Sequence, residues 1–106
     1  MSPEIHIPVR IEGETATIFA GDYINKLSGE RIERECQRQI NAGCKTLIVN
    51  FSETELVNSI GVSILLGVID VAANAGAKIV FSDINENTIE LFDTLGLTNH
   101  VEVLPN

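Results

Sequence analysis

The N-terminal part of the chain alternates apolar and polar residues. The apolar residues that share one parity are Ile5, Ile7, Val9 and Ile11. This period of two predicts a strand with one buried face. Pro8 has no amide proton to donate to a neighbouring strand, so we expect this strand at a sheet edge. A turn at residues 12–14 and a second strand over residues 15–20, rich in β-branched side chains, complete a predicted β-hairpin.

A helical period follows the hairpin. Residues 21–28 are predicted to form a loop, and Ser28 is a favourable N-cap for the helix after it. Apolar residues then recur at a spacing of four, at Ile32, Cys36 and Ile40. The helix is expected to end over residues 41–43, because Gly43 suits the left-handed conformation that commonly follows a helix.

The second half of the chain repeats strand and helix. Residues 45–51 form a strand that is apolar almost throughout, which predicts burial on both faces. The next helical stripe consists of Val62, Leu65, Leu66, Ile69 and Ala73, and it stops at residues 74–76. The remaining predicted elements are a buried strand over residues 77–83, a helix over residues 85–96 and a short strand over residues 100–104.

The order of these elements is strand, strand, helix, strand, helix, strand, helix, strand. Helical crossovers between apolar strands are typical of a parallel sheet, and the hairpin adds an antiparallel edge. We therefore predict an α/β fold, a mixed sheet with an N-terminal β-hairpin and helices packed on the sheet. The 106 residues are expected to form a single domain over residues 1–106, with a core that needs no disulfide or metal.

Charge and hydropathy argue against several classes of function. The chain has 15 Asp and Glu residues against 7 Lys and Arg, a net charge of −8 at pH 7. Such a surface repels phosphate backbones and anionic lipid heads, so nucleic-acid binding is disfavoured. The sequence has no apolar run long enough to span a bilayer and no signal-peptide pattern. We expect a soluble cytoplasmic protein without a transmembrane segment.

The residues that usually carry enzyme or metal chemistry are scattered. Cys36 and Cys44 form no Cys-x-x-Cys pair, and His6 and His100 do not cluster with them. Buried reduced thiols are the expectation, with no metal site and no cofactor. The sequence has no Gly-rich phosphate loop, and Val57 stands where a hydrolase nucleophile elbow needs its first glycine. We therefore expect a binding protein and not an enzyme.

The pair Asn58-Ser59 stands where a predicted strand and loop give way to a helix. One interpretation is a local helix cap, worth about 1 kcal/mol, and physics alone puts this first. The other is that Ser59 presents its hydroxyl at a helix N-terminus, where unpaired amide protons and the helix dipole favour a phosphate. Since the sequence supplies no evident base, a separate kinase would have to donate that phosphate. Gly61 predicts a close approach, either of a partner's backbone or of the first helical turn to the sheet.

The sequence resembles the STAS domain of bacterial anti-sigma factor antagonists. The matching pieces are the strand and turn "IVNFS", the helix start "NSIG" at residues 58–61, the strand "KIVFSD" and the helix end "LFDTLGL". The first half also fits, with two strands, a turn at Gly21-Asp22, a helix, and a similar spacing to the motif serine. The resemblance covers nearly the whole chain and implies a STAS-type fold.

The resemblance also implies a function. The family's phosphoacceptor serine falls on Ser59. In the family, the dephosphorylated protein binds an anti-sigma factor that is a serine kinase and thereby frees a sigma factor, whereas the phosphorylated protein lets go. The matching partner-binding surface comprises the loop after the hairpin and the start of the Ser59 helix. Its residues here are Asp22, Ile24, Asn25, Asn58, Ser59, Ile60, Gly61 and Val62.

The sequence departs from the family's pattern at three places. The motif aspartate is Asn58, the second hydroxyl residue is Ile60, and Ile24 and Asn25 stand where an aspartate is common. The family also contains scaffold proteins and subunits of lipid-transport complexes without a regulated serine. A non-phosphorylated STAS scaffold is therefore the alternative function. The sequence leaves open the sigma factor, the identity of the partner and whether the chain forms a homodimer.

Overall fold

The computed structural model describes residues 7–105. Strands and helices alternate along this part of the chain. The strands are β1 (Val9–Glu12), β2 (Thr15–Phe19), β3 (Tyr23–Ile24), β4 (Thr46–Asn50), β5 (Leu56–Val57), β6 (Lys78–Ile84) and β7 (Glu102–Pro105). The helices are α1 (Lys26–Asn41), α2 (Ser59–Asn74), α3 (Glu86–Thr94) and a 3-10 helix (Leu97–Asn99). None of the helices in this described range is long and apolar enough to cross a membrane.

The strands form two sheets. In the larger one the order is β1-β2-β4-β6-β7, with β1 antiparallel to β2 and every other neighbouring pair parallel. This confirms the predicted α/β fold with an N-terminal hairpin, and it places β1, which follows Pro8, at the sheet edge. The smaller sheet pairs β3 with β5 in parallel, and the sequence analysis did not predict it.

The helices pack on one face of the larger sheet. On that face the strand register places Val49 beside Phe81, and both side chains are buried. α3 contributes Phe92, whose ring centroid lies 5.8 Å from that of Phe81. Ile32 of α1 and Leu65 of α2 belong to the same core cluster. The core therefore lies between the sheet and a layer of three helices.

The prediction that β4 is buried on both faces is wrong in part. Leu47 and Val49 have no exposed surface, whereas the alternate residues Thr46, Ile48 and Asn50 are half-buried. The reason is that the helices cover one face of the sheet and leave the other in partial contact with solvent.

The predicted buried face of β1 is also only partly observed. Ile7 and Val9 pack against the core as half-buried residues, but Ile11 is 61% exposed. As an edge strand, β1 has a neighbouring strand on one side only, so Ile11 receives less cover than a residue on an inner strand. Ile5 lies outside the described residues.

Each α-helix begins after an asparagine. The side-chain oxygens of Asn25, Asn58 and Asn85 each accept a hydrogen bond from the backbone N–H three residues further on, as N-cap residues do. The predicted N-cap of α1, Ser28, is therefore wrong. Ser28 instead accepts a return bond from the Asn25 N–H at 2.9 Å, which completes a capping box. Gly43 follows α1 with a φ of 98°, as predicted.

The two cysteines lie near the C-terminal half of α1 and are both free. Cys36 is buried in the core, and burial raises the pKa of its thiol to about 12. Cys44 is half-buried, and its thiol donates a hydrogen bond to the Thr46 carbonyl oxygen at 3.3 Å. Within residues 7–105, no three His, Cys, Asp or Glu side chains are grouped as a metal site would require.

Candidate phosphorylation and partner-binding site

Ser59 lies at the edge of the sheet where the parallel strands end. The loops that follow β2, β4 and β6 meet there and are joined by hydrogen bonds. The Thr54 hydroxyl donates to the Gly21 carbonyl oxygen at 2.6 Å, and the Asn85 side-chain amide donates to the Thr54 carbonyl oxygen at 3.2 Å. Since Thr54 is buried, these bonds are shielded from water and fix the segment that leads to α2.

The small β3–β5 sheet sets the starts of α1 and α2 side by side. Its register pairs Tyr23 with Leu56 and Ile24 with Val57. One asparagine separates each of these strands from the helix that follows, and the Asn58 N–H donates to the Ile24 carbonyl oxygen at 2.9 Å. The structure thereby brings together the two sequence segments that were predicted to form one surface.

The two interpretations of the Asn58-Ser59 pair apply to different residues. Asn58 is the N-cap of α2, and its Oδ1 accepts a hydrogen bond from the Gly61 N–H at 2.7 Å. Ser59 is the first residue of the helix, is exposed, and does not make the capping bond. Ser59 therefore offers a hydroxyl at the helix N-terminus without being needed for the cap.

Gly61 allows α2 to begin close to β3. A Cβ atom at this position would lie 2.5 Å from the Ile24 carbonyl oxygen, which is closer than non-bonded atoms can approach. This supports the alternative in which the first helical turn packs tightly against a strand.

Three of the predicted partner-binding residues lie beneath the surface. Ile24 has no exposed area, Val62 is 6% exposed, and Gly61 is buried against β3. The side chains of Ile24 and Val62 pack inside the molecule, and Gly61 has no side chain, so none of the three presents an exposed side chain to a partner. The other predicted residues reach solvent wholly or in part: Asp22, Asn25, Asn58, Ser59 and Ile60.

Two exposed residues near the Asn58 cap were not named among the predicted partner-binding residues. Tyr23 is 40% exposed and Leu56 is 59% exposed, and they are neighbours across the β3–β5 sheet. Ile60, at the second position of α2, is 51% exposed, and we refer to these three exposed side chains together as the apolar patch (Tyr23, Leu56 and Ile60). The Asn58 side-chain amide donates to the Tyr23 hydroxyl at 3.3 Å and so connects the patch to the helix cap. Neither Tyr23 nor Leu56 falls in a periodic segment, so no sequence pattern marks them as exposed.

The surroundings of Ser59 suit an anion better than an activated nucleophile. The first N–H groups of α2 have no partner within the helix beyond the cap, and the helix dipole places partial positive charge there. His100, the one histidine among residues 7–105, lies beside Lys78 at the start of β6. That is the opposite end of the sheet from Ser59, so His100 is too remote to act as its base. His6, the other histidine, falls outside the described residues.

Several solved structures share this fold at low sequence identity. TM1081 from Thermotoga maritima has a TM-score of 0.83 and 13% identity, over 94% of this chain and 86% of that one. The Bacillus protein SpoIIAA in its phosphorylated form has a TM-score of 0.72 and 19% identity, over 94% and 92%. A variant of Moorella thermoacetica RsbS, in which a serine is replaced by glutamate, has a TM-score of 0.81 and 16% identity, over 96% and 88%.

The comparison with protein families gives a direct assignment, although no curated protein matches the sequence. The model of the STAS domain matches residues 6–106. This range includes both sheets, the three helices and the Ser59 site. The chain therefore belongs to the STAS domain family.

Proposed function

We propose that this protein is an anti-sigma factor antagonist that binds an anti-sigma factor with serine kinase activity, thereby frees a sigma factor, and is switched off by phosphorylation of Ser59. The observation that carries the proposal is the exposed Ser59 at the first position of α2, next to the apolar patch. The shared fold with SpoIIAA, an anti-sigma factor antagonist known in phosphorylated and unphosphorylated forms, supports it. The proposal places the protein in the cytoplasm, where sigma factors act.

The proposed switch depends on what the partner must desolvate. Without phosphate, Ser59 is a neutral hydroxyl beside exposed apolar side chains, and such a surface loses little when water is removed. A phosphate adds a charge of about −1.5 to −2, and burying that charge without a cation is costly. The N-terminus of α2 stabilises the phosphate in the free protein. Phosphorylation therefore releases the partner without refolding.

The test compares wild type with Ser59→Ala and Ser59→Asp in calorimetric titrations against a candidate anti-sigma factor kinase. We expect Ser59→Ala to bind as wild type does. Ser59→Asp should bind at least about tenfold more weakly, which corresponds to about 1.4 kcal/mol. After incubation with the kinase and ATP, intact mass should show one phosphate on wild type and none on Ser59→Ala.

Ser63 provides the matched control, because it is an exposed serine one turn further along α2. Ser63→Ala should still accept the phosphate, and Ser63→Asp should keep the affinity of wild type. Equal affinities for all the Ser59 forms, together with no phosphate on Ser59, would show that the switch does not operate.

A second function is a STAS scaffold subunit of a signalling or lipid-transport complex, without phosphorylation. The observation that favours it is the replacement of the motif's acid and second hydroxyl by Asn58 and Ile60. This function predicts that Ser59→Asp leaves the complex intact and that the protein co-purifies with its other subunits in fixed stoichiometry.

A further inference from the structure

The Asn58 side chain makes two hydrogen bonds, and the direction of the first determines the direction of the second. Its Oδ1 must be the atom that accepts from the Gly61 N–H at 2.7 Å, because an amide nitrogen placed there would oppose another donor. Nδ2 is then the atom that lies 3.3 Å from the Tyr23 hydroxyl, and it donates to that oxygen. The Tyr23 oxygen therefore acts as an acceptor, and its own proton stays free to be donated elsewhere.

The position of Tyr23 is set by its strand. Its backbone pairs with Leu56 in the β3–β5 register, and its carbonyl oxygen accepts a hydrogen bond from the Ser28 hydroxyl at 2.7 Å. The side chain remains 40% exposed. The hydroxyl is thus held against the side chain of the residue that immediately precedes Ser59, on a side chain that is open to solvent.

We propose that the Tyr23 hydroxyl donates a hydrogen bond to the phosphate carried by Ser59, and that Asn58 directs this donation. The inference rests on the proposed phosphorylation of Ser59. An aspartate at position 58 would accept the tyrosine proton itself. The phosphate would then lose the hydrogen bond from the tyrosine, and the aspartate carboxylate would add a negative charge beside it. Asn58 therefore leaves the donor free and adds no charge beside the phosphate.

The experiment measures the second ionisation of the phosphate by 31P NMR over a pH titration. Phosphoserine is incorporated at position 59 of the full chain during translation, so no kinase is needed. Tyr23→Phe should raise the phosphate pKa by about 0.3 to 0.5 unit, because the dianion loses a hydrogen-bond donor. Asn58→Asp should raise it further, by about 0.5 to 1 unit, because the donor is diverted and a carboxylate is added.

Leu56→Ala is the matched control, since it removes the strand neighbour of Tyr23 and leaves the hydroxyl in place. It should leave the phosphate pKa within about 0.1 unit of wild type. The proposal is overturned if Tyr23→Phe leaves the pKa unchanged, or if Leu56→Ala shifts it as much as Tyr23→Phe does. Because the titration contains no partner, a partner that binds both phosphorylation states equally would contradict the proposed function and not this result.

Discussion

At the residue scale, Gly61 determines how closely α2 approaches β3. The Cβ of an alanine would lie 2.5 Å from the Ile24 carbonyl oxygen, which belongs to the backbone and cannot move aside freely. We expect Gly61→Ala to lower the free energy of unfolding by about 1 to 3 kcal/mol. This loss appears although alanine favours a helix over glycine by about 1 kcal/mol. Urea unfolding followed by circular dichroism measures the change.

Gly67 is the control for this substitution, because it lies in the same helix. A Cβ there would lie 3.3 Å from Oε2 of Glu33, the end of a flexible side chain. Gly67→Ala should therefore keep most of the gain in helix propensity and leave stability equal to or above that of wild type. If the two variants lose stability equally, close contact with the Ile24 carbonyl oxygen does not explain why position 61 requires glycine.

Only some residues of the site could be predicted from the sequence. Asn58, Ser59 and Gly61 lie in one short contiguous motif, so their arrangement follows from local helix-start chemistry. The prediction that Ile24 and Val62 bind a partner rested only on their positions relative to the family's pattern. Their burial depends on packing between segments far apart in the chain, which no local pattern contains.

At the element scale, an alternating period predicted β1, apolar or β-branched runs predicted β2, β4 and β6, and a helical period predicted α1 and α2, because each element is long enough to show such a pattern. β3 and β5 have two residues each, which is too short for any period. Their pairing joins segments that are far apart in the chain, so no local pattern predicts it. The cap of α1 was misplaced because Asn25 and Ser28 are both favourable cap residues, and in a capping box each bonds to the other's backbone.

The start of α2 gives a prediction at this scale. Asn58→Ala removes the acceptor of the Gly61 N–H, so it should lower the free energy of unfolding by about 1 kcal/mol. Ser59→Ala removes no cap and should change it by less than about 0.5 kcal/mol. The sequence left the cap with the Asn58-Ser59 pair as a whole, and the structure assigns it to Asn58. Thermal unfolding of both variants measures these losses of stability. A larger loss for Ser59→Ala than for Asn58→Ala would contradict the assignment of the cap to Asn58.

At the scale of the whole molecule, the N-termini of three helices gather at one edge of the sheet, in a chain that is acidic overall. The chain carries a net charge of −8, which repels an added phosphate over the surface as a whole. The parallel strands are joined through helices, so the asparagine-capped starts of α1, α2 and α3 gather where those strands end. The partial positive charge of the helix starts is concentrated there. Ser59 lies at this edge, at the first position of α2.

Cys36 makes the stability of the whole molecule depend on pH above about pH 9. Burial, with smaller contributions from Cys44 and Glu35, raises the pKa of its thiol from 9.0 to about 12 in the folded chain. Unfolding therefore releases this proton between pH 9 and 12, so the stabilisation is complete below pH 9 and is lost as pH rises through that window.

The stability advantage of wild type over Cys36→Ala should shrink by roughly 2 kcal/mol between about pH 8 and pH 10.5. Urea unfolding of both proteins across this range measures it, with Cys44→Ala as the half-buried control. An advantage that stays constant with pH would show that the Cys36 thiolate is as well tolerated in the folded chain as in the unfolded one.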